Sequence, residues 1–473
     1  VSPRRAKLVC TLGPASAAPE TVRALAEVGT EVFRVNLSHG DPGSHVELVR
    51  AVRAVADELG RDLGVMADLP GPKIRIGELA AEPLSIAAGA RFVLRAAGRP
   101  GDADGAPTTY PGLARDVRAG DRVLLADGAV ELVVRETVGD DVVTECVRAG
   151  SIRSRAGLNV PAERLSLPAI TTRDREGLSR ALGLGVDLIA QSFVRSGADV
   201  SGLRALMGER TVPIVAKVET RPAVDGIAGV LAEADAIMVA RGDLGVELPM
   251  EEIPILQKEL LLAARSEGKP AVVATQMLES MVHAPRPTRA EASDVANAVL
   301  DGADALMLSA ETAIGGFPVE AARAAARIAE VAEERAGGFR VARAPCSHSG
   351  DAAAVAHAAA QVAVGDPDVV AIACFTGTGR TAALLSSERP GVPIYAFSPE
   401  PAVRRSLAIR WGVTALPARL PEDTDEMIGL MDEGLRAAGL ALEGEPVVMA
   451  ASSPAGKSGT NMLKVHHIGG PVR

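Results

Sequence analysis

Aromatic residues make up only 2% of this 473-residue chain, with one Trp, two Tyr and seven Phe. Its cores must therefore be built from Ala, Val, Leu and Ile, since hydrophobic residues still account for 47%. Cysteine is scarce as well. Cys10, Cys146, Cys346 and Cys374 stand far apart, without a C-x-x-C and without a histidine at zinc spacing. That argues against a disulfide scaffold or a structural zinc site and for free thiols in a reducing compartment. No apolar run reaches the roughly 18 residues of a membrane-spanning helix, and the opening VSPRRAK has no apolar stretch behind its charges. A soluble, cytoplasmic protein is expected. Positive charge is also in deficit, with 50 Lys and Arg against 60 Asp and Glu, a net charge of −10. An acidic surface does not attract nucleic acid or an acidic membrane. It still permits a small anionic substrate, which a local cluster of Arg and Lys can hold.

What the chain does have is a recurring short apolar run. KLVCTL (7–12), VFRVNLS (32–38), LGVMADL (63–69), LIAQSFV (188–194), PIVAKVE (213–219), AIMVAR (236–241), AVVATQM (271–277) and ALMLSAE (305–311) read as buried parallel strands with helices between them. In PTRAEASDVANAVLDG, Thr288 and Glu291 form a capping box ahead of Ala292, Val295 and Val299 on one helical face. Eight such units are the count of a closed (β/α)8 barrel, with a doubly wound open sheet as the competing topology. The beat breaks once, between residues 69 and 188. There the pattern turns to alternation with tight turns, including a hairpin signal at Asp127-Gly128.

These readings give a discontinuous α/β barrel over 1–69 and 161–335 and an inserted all-β, barrel-like lid over 70–160. A Gly/Arg/Ser-rich linker leads to a C-terminal α/β domain over 340–473, expected to serve effector binding or oligomerisation. Its strands are placed at AIACFT, PIYAFS and PVVMAA, and an Ala-rich helix at DAAAVAHAAAQVAV.

Barrel enzymes carry their chemistry at the carboxyl ends of the strands. Seven of the eight runs end in polar or charged residues: Thr11; Arg34, Asn36 and Ser38; Asp68; Lys217 and Glu219; Arg241 and Asp243; Thr275; Ser309 and Glu311. Residues two apart on a strand share a face, which pairs Lys217 with Glu219 and aligns Arg34 with Asn36 and Ser38. Glu219 and Asp243, with no Cys or His in either run, suit a hard cation such as Mg²⁺, and Mn²⁺ would also fit. Lys217 can reach the same ligand and stabilise a developing oxyanion. Arg34 and Arg75 are candidates to clamp a phosphate, or else to pair with Asp68 or another carboxylate. The tripeptide Arg241-Gly242-Asp243 ends a buried strand and is no adhesion signal. ASSPAGKSGT (451–460) lacks the first glycine of a P-loop, having Ala451 there, and leaves at most an anion-binding turn.

The motifs CTLGPAS (10–16), FRVNLSHG (33–40), GPKIR (71–75), MVARGDLGVE (238–247), ATQMLESM (274–281), PRPTRAEASDVANAVLDGAD (285–304) and MLSAET (307–312) resemble the pyruvate kinase family over essentially the whole chain. The resemblance implies phosphoryl transfer from phosphoenolpyruvate to ADP in glycolysis, giving pyruvate and ATP, by a homotetramer. It implies that Lys217 stabilises the enolate and the phosphoryl group and that Glu219 and Asp243 hold Mg²⁺. Arg34 would bind the phosphoryl group, and Gly242 with Thr275 would position the substrate carboxylate, a helix start just after Gly242 presenting free N–H groups to an anion. Thr275 and Ser309 would serve a proton relay, and Arg34, His39 and Arg75 the nucleotide. The inserted domain would close as a lid. FTGTGRTA (375–382) resembles the family's effector loop, with Thr376, Thr378, Gly379 and Thr381 cradling a phosphorylated allosteric ligand.

Three departures stand out. The family's K⁺ region corresponds to Asn36, Ser38 and Asp68, but a Thr is replaced by Leu69 and a Glu by Lys73. The Lys73 ammonium is therefore expected to supply the missing charge and make K⁺ dispensable. Two family lysines on the nucleotide side are Ala156, beside Arg155, and Ile314. Those losses are the ground for a competing reading, a metabolite-binding regulatory paralogue. A Mg²⁺-dependent aldolase of the same barrel group would require neither the insertion nor the C-terminal domain.

Overall fold

The eight apolar runs all become strands of one parallel sheet closed on itself in simple sequential order, so the open-sheet alternative falls. The computed structural model describes residues 4–335, 350–453 and 459–471. Cys346, the Gly/Arg/Ser-rich linker and the middle of the 451–460 turn lie outside them. The barrel strands are Lys7–Leu12, Val32–Asn36, Gly64–Leu69, Leu188–Gln191, Ile214–Val218, Ala236–Ala240, Ala271–Ala274 and Ala305–Leu308. The first strand closes the ring by pairing with the eighth, Lys7 opposite Ala305 and Cys10 opposite Leu308. Six of the eight runs were expected to extend one to three residues further at their C-terminal ends than the strands they form, while the first and third end where expected, at Leu12 and Leu69. Those extra residues leave the ladder to form the mouth of the barrel.

Side-chain alternation divides each strand between two cores. Cys10, Phe33, Val35 and Val218 pack outward against the helices. Val9, Val32, Met66, Ala190, Val215 and Met238 fill the interior. The floor of that interior is sealed from the C-terminal part of the chain, where Ile409 joins the same cluster. A side chain at Gly64 would approach the Arg405 carbonyl at 3.1 Å, so this residue lets that segment press close. The helix Arg289–Leu300 begins at the expected capping box, with Thr288 accepting from the Glu291 N–H.

Between the third and fourth barrel strands lie a six-stranded sheet and a two-stranded sheet. Strands Arg122–Leu125 and Val130–Val138 pair antiparallel, and the turn between them carries Ala126, Asp127 and Gly128 at positive φ. The segment is not wholly β. Leu113–Asp116 forms one helical turn, which buries Leu113 in the sheet's core. In the C-terminal part, the expected strands appear as Ala371–Phe375, Ile394–Ser398 and Pro446–Ala451. Two more, Val413–Pro417 and Met462–His467, form the edges of that sheet. Both were missed because an edge strand buries less and so lacks a continuous apolar run. Among the described residues no helix is long and apolar enough to cross a membrane.

Candidate active site

The interior parity that buries Val9, Val32, Met66, Ala190 and Val215 continues two residues further to Thr11, Arg34, Asp68, Ser192 and Lys217. Apolar filling therefore gives way to a charged layer at the C-terminal end of the barrel. The Lys217 ammonium sits in it, 2.7 Å from Glu219, 3.5 Å from Asp68 and 2.8 Å from the Ser192 hydroxyl. Arg34 Nε donates to Asp68 at 2.7 Å and its Nη1 to Thr11 at 3.0 Å. Arg34, Asp68, Lys217 and Glu219 are all less than a tenth exposed.

The charges tune one another. Burial pulls the Lys217 pKa down, but Asp68 and Glu219 outweigh it and the net shift is upward. Burial also raises the Asp68 carboxyl, yet Lys217 and Arg34 hold it below the usual carboxylate range. Glu219 behaves differently. Burial raises it, Lys217 opposes, and the nearby Asp243 charge adds to the rise, so this carboxyl ends above its ordinary value. Two carboxylates repelling in a buried mouth are short of positive charge, and a divalent cation would relieve that. Their oxygens suit Mg²⁺ or Mn²⁺. Among the described residues no cluster of three or more His, Cys, Asp or Glu forms a metal site, so water and substrate oxygens would have to complete the sphere.

The fourth strand, the one without an evident polar end, supplies two contacts that the sequence reading missed. Ser192 bridges Lys217 and Asp68, donating to Asp68 Oδ1 at 3.3 Å. The Phe193 N–H donates to Glu219 Oε2 at 2.7 Å, from a residue held at φ +54°. The available signal was parity: Ser192 stands two residues beyond Ala190. Arg173 was also missed; its Nη2 donates to the Ser38 carbonyl at 3.0 Å.

Gly242 and Thr275 do come together, but the Gly242 N–H is not free. It donates to the Thr275 hydroxyl at 2.7 Å, and that hydroxyl donates in turn to the Ala274 carbonyl at 2.6 Å. The helix Arg241–Glu247 begins before Gly242 rather than after it, and the Gly242 N–H, left without an intrahelical acceptor in that first turn, is taken by the Thr275 hydroxyl. Thr275 is at φ +71°, a costly conformation for a β-branched residue. Arg241 helps hold it there, pairing with Asp294 at 2.7 Å and donating to the Thr275 carbonyl at 3.0 Å. Ser309 is fixed by its N–H, which donates to the fully buried Glu311 at 2.7 Å.

Lys73 lies 3.8 Å from Asp243, whereas Asp68 is paired with Arg34 and Lys217. Asn36 is occupied locally, accepting from the Ser38 N–H at 3.0 Å. Burial lowers the His39 pKa, and the charges of Arg75, Arg34, Arg173 and Lys73 lower it further. Arg75 Nη1 donates to the Arg155 carbonyl at 3.0 Å, while the Arg155 side chain turns to Glu78. Ala156 is half-buried against the core of the inserted sheet, and Ile314 is 64% exposed. In the Thr376–Thr381 turn, Thr376 accepts the Gly379 N–H at 2.9 Å and Thr381 bonds Thr460 at 2.7 Å. Of the three threonines only Thr378 is exposed.

A family model described as "Pyruvate kinase, barrel domain" matches residues 3–322, and one described as "Pyruvate kinase, alpha/beta domain" matches residues 353–466. The chain belongs to the pyruvate kinase family. It is 44% identical over 472 residues to the pyruvate kinase of Mycobacterium tuberculosis, covering 98% of this chain and 99% of that protein. Identity to the Corynebacterium efficiens pyruvate kinase is 42% over 473 residues, 99% of each. The crystal structure of a pyruvate kinase from Cryptosporidium parvum superposes with a TM-score of 0.91 at 33% identity, covering 98% of this chain and 96% of that one. Family membership makes the chain a phosphotransferase.

Proposed function

We propose that this enzyme transfers the phosphoryl group of phosphoenolpyruvate to ADP, yielding pyruvate and ATP. The observation that carries the reading is Lys217, a buried ammonium held among Asp68, Glu219 and Ser192 beside Arg34. Its raised pKa keeps it charged, so it can face the oxygen on which the enolate charge develops. At about 4 Å a unit charge pair is worth roughly 4 kcal/mol at an effective dielectric near 20. Arg34, braced by Asp68 and Thr11, presents a guanidinium to the phosphoryl group. Glu219 and Asp243 would hold Mg²⁺, which when bound supplies Lewis-acid stabilisation of substrate oxygens. Thr275 with Gly242 would shape the carboxylate end of the site, and Thr275 and Ser309 would serve proton delivery to the enolate carbon. Since the Thr275 proton is spent on Ala274, its share in a relay requires that bond to switch. His39 and Arg75 would face the nucleotide, and the inserted sheets would close over it.

We extend the proposal to K⁺ independence. Asp68 is neutralised by Arg34 and Lys217, Leu69 offers no hydroxyl, and Lys73 brings a resident cation to the same mouth. A homotetramer rests on family membership, and a phosphorylated effector on the exposed Thr378 at a glycine-containing turn. Both can be tested by light scattering and by titrating phosphates against the substrate saturation curve. The deciding assay is pyruvate release. It should require phosphoenolpyruvate, ADP and Mg²⁺ or Mn²⁺ together and change less than about twofold on adding K⁺ to K⁺-free, Na⁺-free buffer. No pyruvate with all components present would sink the catalytic reading; strong activation by K⁺ would sink only its monovalent-ion part.

A further inference from the structure

The loop after the fourth barrel strand, Ser192 to Arg195, is bound on two sides. On the barrel side, the Phe193 N–H donates to Glu219 at 2.7 Å and the Thr220 hydroxyl donates to the Val194 carbonyl at 2.9 Å. Ser192 bridges Lys217 and Asp68 there as well. On the other side, Arg195 reaches the chain where it returns from the inserted sheets. Its Nη1 donates to the Leu165 carbonyl at 2.8 Å and its Nη2 to the Leu167 carbonyl at 3.0 Å.

The segment that Arg195 holds belongs to the inserted domain by its packing. The side chains of Leu165 and Leu167 lie against that domain's core. Ser166 between them is fixed to Asp116, its N–H donating at 2.8 Å and its hydroxyl at 2.7 Å. Asp116 closes the helical turn Leu113–Asp116 within the insertion. Where the chain leaves the barrel it presses on the same loop. Gly71 sits at φ +68°, and a side chain there would meet Phe193 at 2.8 Å and Ser192 at 3.0 Å. Both crossings between barrel and insertion therefore bear on one loop, and that loop contacts Lys217 and Glu219.

We infer that Arg195 is a positioning residue that couples the placement of the inserted domain to Lys217 and Glu219 through the Ser192–Arg195 loop. The guanidinium fork suits the task, since one rigid plane holds two carbonyls at once where an ammonium would pivot about a point. Phe193 needs such an anchor, being a bulky residue at φ +54° that only its surroundings can keep there. A shift of the return crossing reaches Arg195, then the Phe193 backbone two residues earlier, then the Glu219 carboxylate. A purely local role at the start of the helix Gly197–Met207 is already filled. Asp199 accepts there from the N–H groups of Arg195 at 2.9 Å and Ser196 at 3.2 Å, while the Arg195 guanidinium stands 3.8 Å from that carboxylate. The effect on turnover rests on the catalytic reading above; the mechanical link does not.

The test is Arg195→Met, which keeps most of the stem and removes both donors; Arg195→Lys, which keeps the charge and loses the fork, is the second variant. Hydrogen–deuterium exchange of the metal-free whole chain should quicken several-fold over 188–196 in Arg195→Met. Exchange in the strands Val130–Val138 and Asp141–Arg148 should stay at wild-type rates. Turnover should fall about tenfold and the Mg²⁺ concentration for half-maximal rate should rise about tenfold, as for partners that orient a metal ligand. Arg195→Lys should lie between wild type and Arg195→Met in every reading, and it decides the matter by the same readings if Arg195→Met does not fold. A merely structural arginine would lower the melting temperature and leave the Mg²⁺ dependence alone. Unchanged exchange over 188–196 overturns the coupling, as does quickened exchange with turnover and Mg²⁺ dependence at wild-type values. If the wild type releases pyruvate while both variants keep its exchange and rate, the coupling falls and the catalytic reading stands. If exchange quickens in the variants but the wild type releases no pyruvate, the catalytic reading falls and the mechanical link stands.

Discussion

The two ends of the barrel both bury carboxylates against cations, and they do so differently. At the floor, just ahead of the fourth strand, Asp187 is met by Arg405 at 2.6 Å, by Arg53 at 2.7 Å and by the Val65 N–H at 2.8 Å. Asp304, just ahead of the eighth, takes Arg389 at 3.1 Å and the Ala271 N–H at 3.0 Å. Arg389 in turn lies over the Trp411 ring at 4.6 Å. Each floor carboxylate has its own arginine, and these pairs join the barrel to the C-terminal part of the chain. At the mouth, Asp68 and Glu219 share one lysine, and Asp243 lies close enough to Glu219 to push its carboxyl upward. Saturated pairs hold parts together, whereas shared and repelling charges leave a field directed at something not part of the chain.

Substitutions at the two ends should separate along that line. Lys217→Met is expected to lower kcat about 10³-fold, the rate equivalent of roughly 4 kcal/mol of lost charge stabilisation. A coupled pyruvate assay reads it, and a loss below tenfold would make the mouth just another structural network. Asp187→Ala should do the opposite. Stability falls by about 2–3 kcal/mol in chemical denaturation, less than for a fully buried pair because Arg53 and Arg405 are part-exposed, while kcat stays within about twofold.

Ser192→Ala sharpens the contrast within the mouth. It removes the hydrogen bonds to both charged neighbours, Lys217 and Asp68; losing the one that steadies the Lys217 ammonium, worth about 1.5 kcal/mol, should slow turnover about tenfold. The smallest effect concerns pH. Lys217 and Arg34 depress Asp68 against its burial, so its contribution to stability is present above the unfolded value near 3.9 and is lost as pH falls through the lower folded value. Denaturation midpoints between pH 5 and pH 3 should therefore fall more steeply in the wild type than in Asp68→Asn. Equal slopes would mean that this pairing adds nothing to the fold.

Legibility varied with how local the signal was. The barrel strands could be read because each is buried on both faces and so is nearly all apolar. Lys217, Glu219, Arg34 and Asp68 could be read because a charge at the end of such a run is conspicuous. Ser192 was less visible, as a small hydroxyl in LIAQSFV looks like ordinary strand chemistry until Lys217 is seen to donate to it. The helix start was expected just after Gly242, and the acceptor of the Gly242 N–H was not visible because the Thr275 hydroxyl lies 33 residues further along the chain. Lys73 was identified as a cation of the site, but its nearest acidic partner, Asp243, could not be named from the segment DLPGPKIRI.

The sequence by itself determined the parallel strands, the break after the third, and the identity of the charges gathered at one end of the barrel. These follow from burial and from the two-residue period of a strand, which are local properties of the chain. Only the tertiary structure decided which charges share a partner and that Ser192 and the Phe193 N–H complete the mouth. Those arrangements depend on distances between residues remote in sequence, which the closure of the barrel sets.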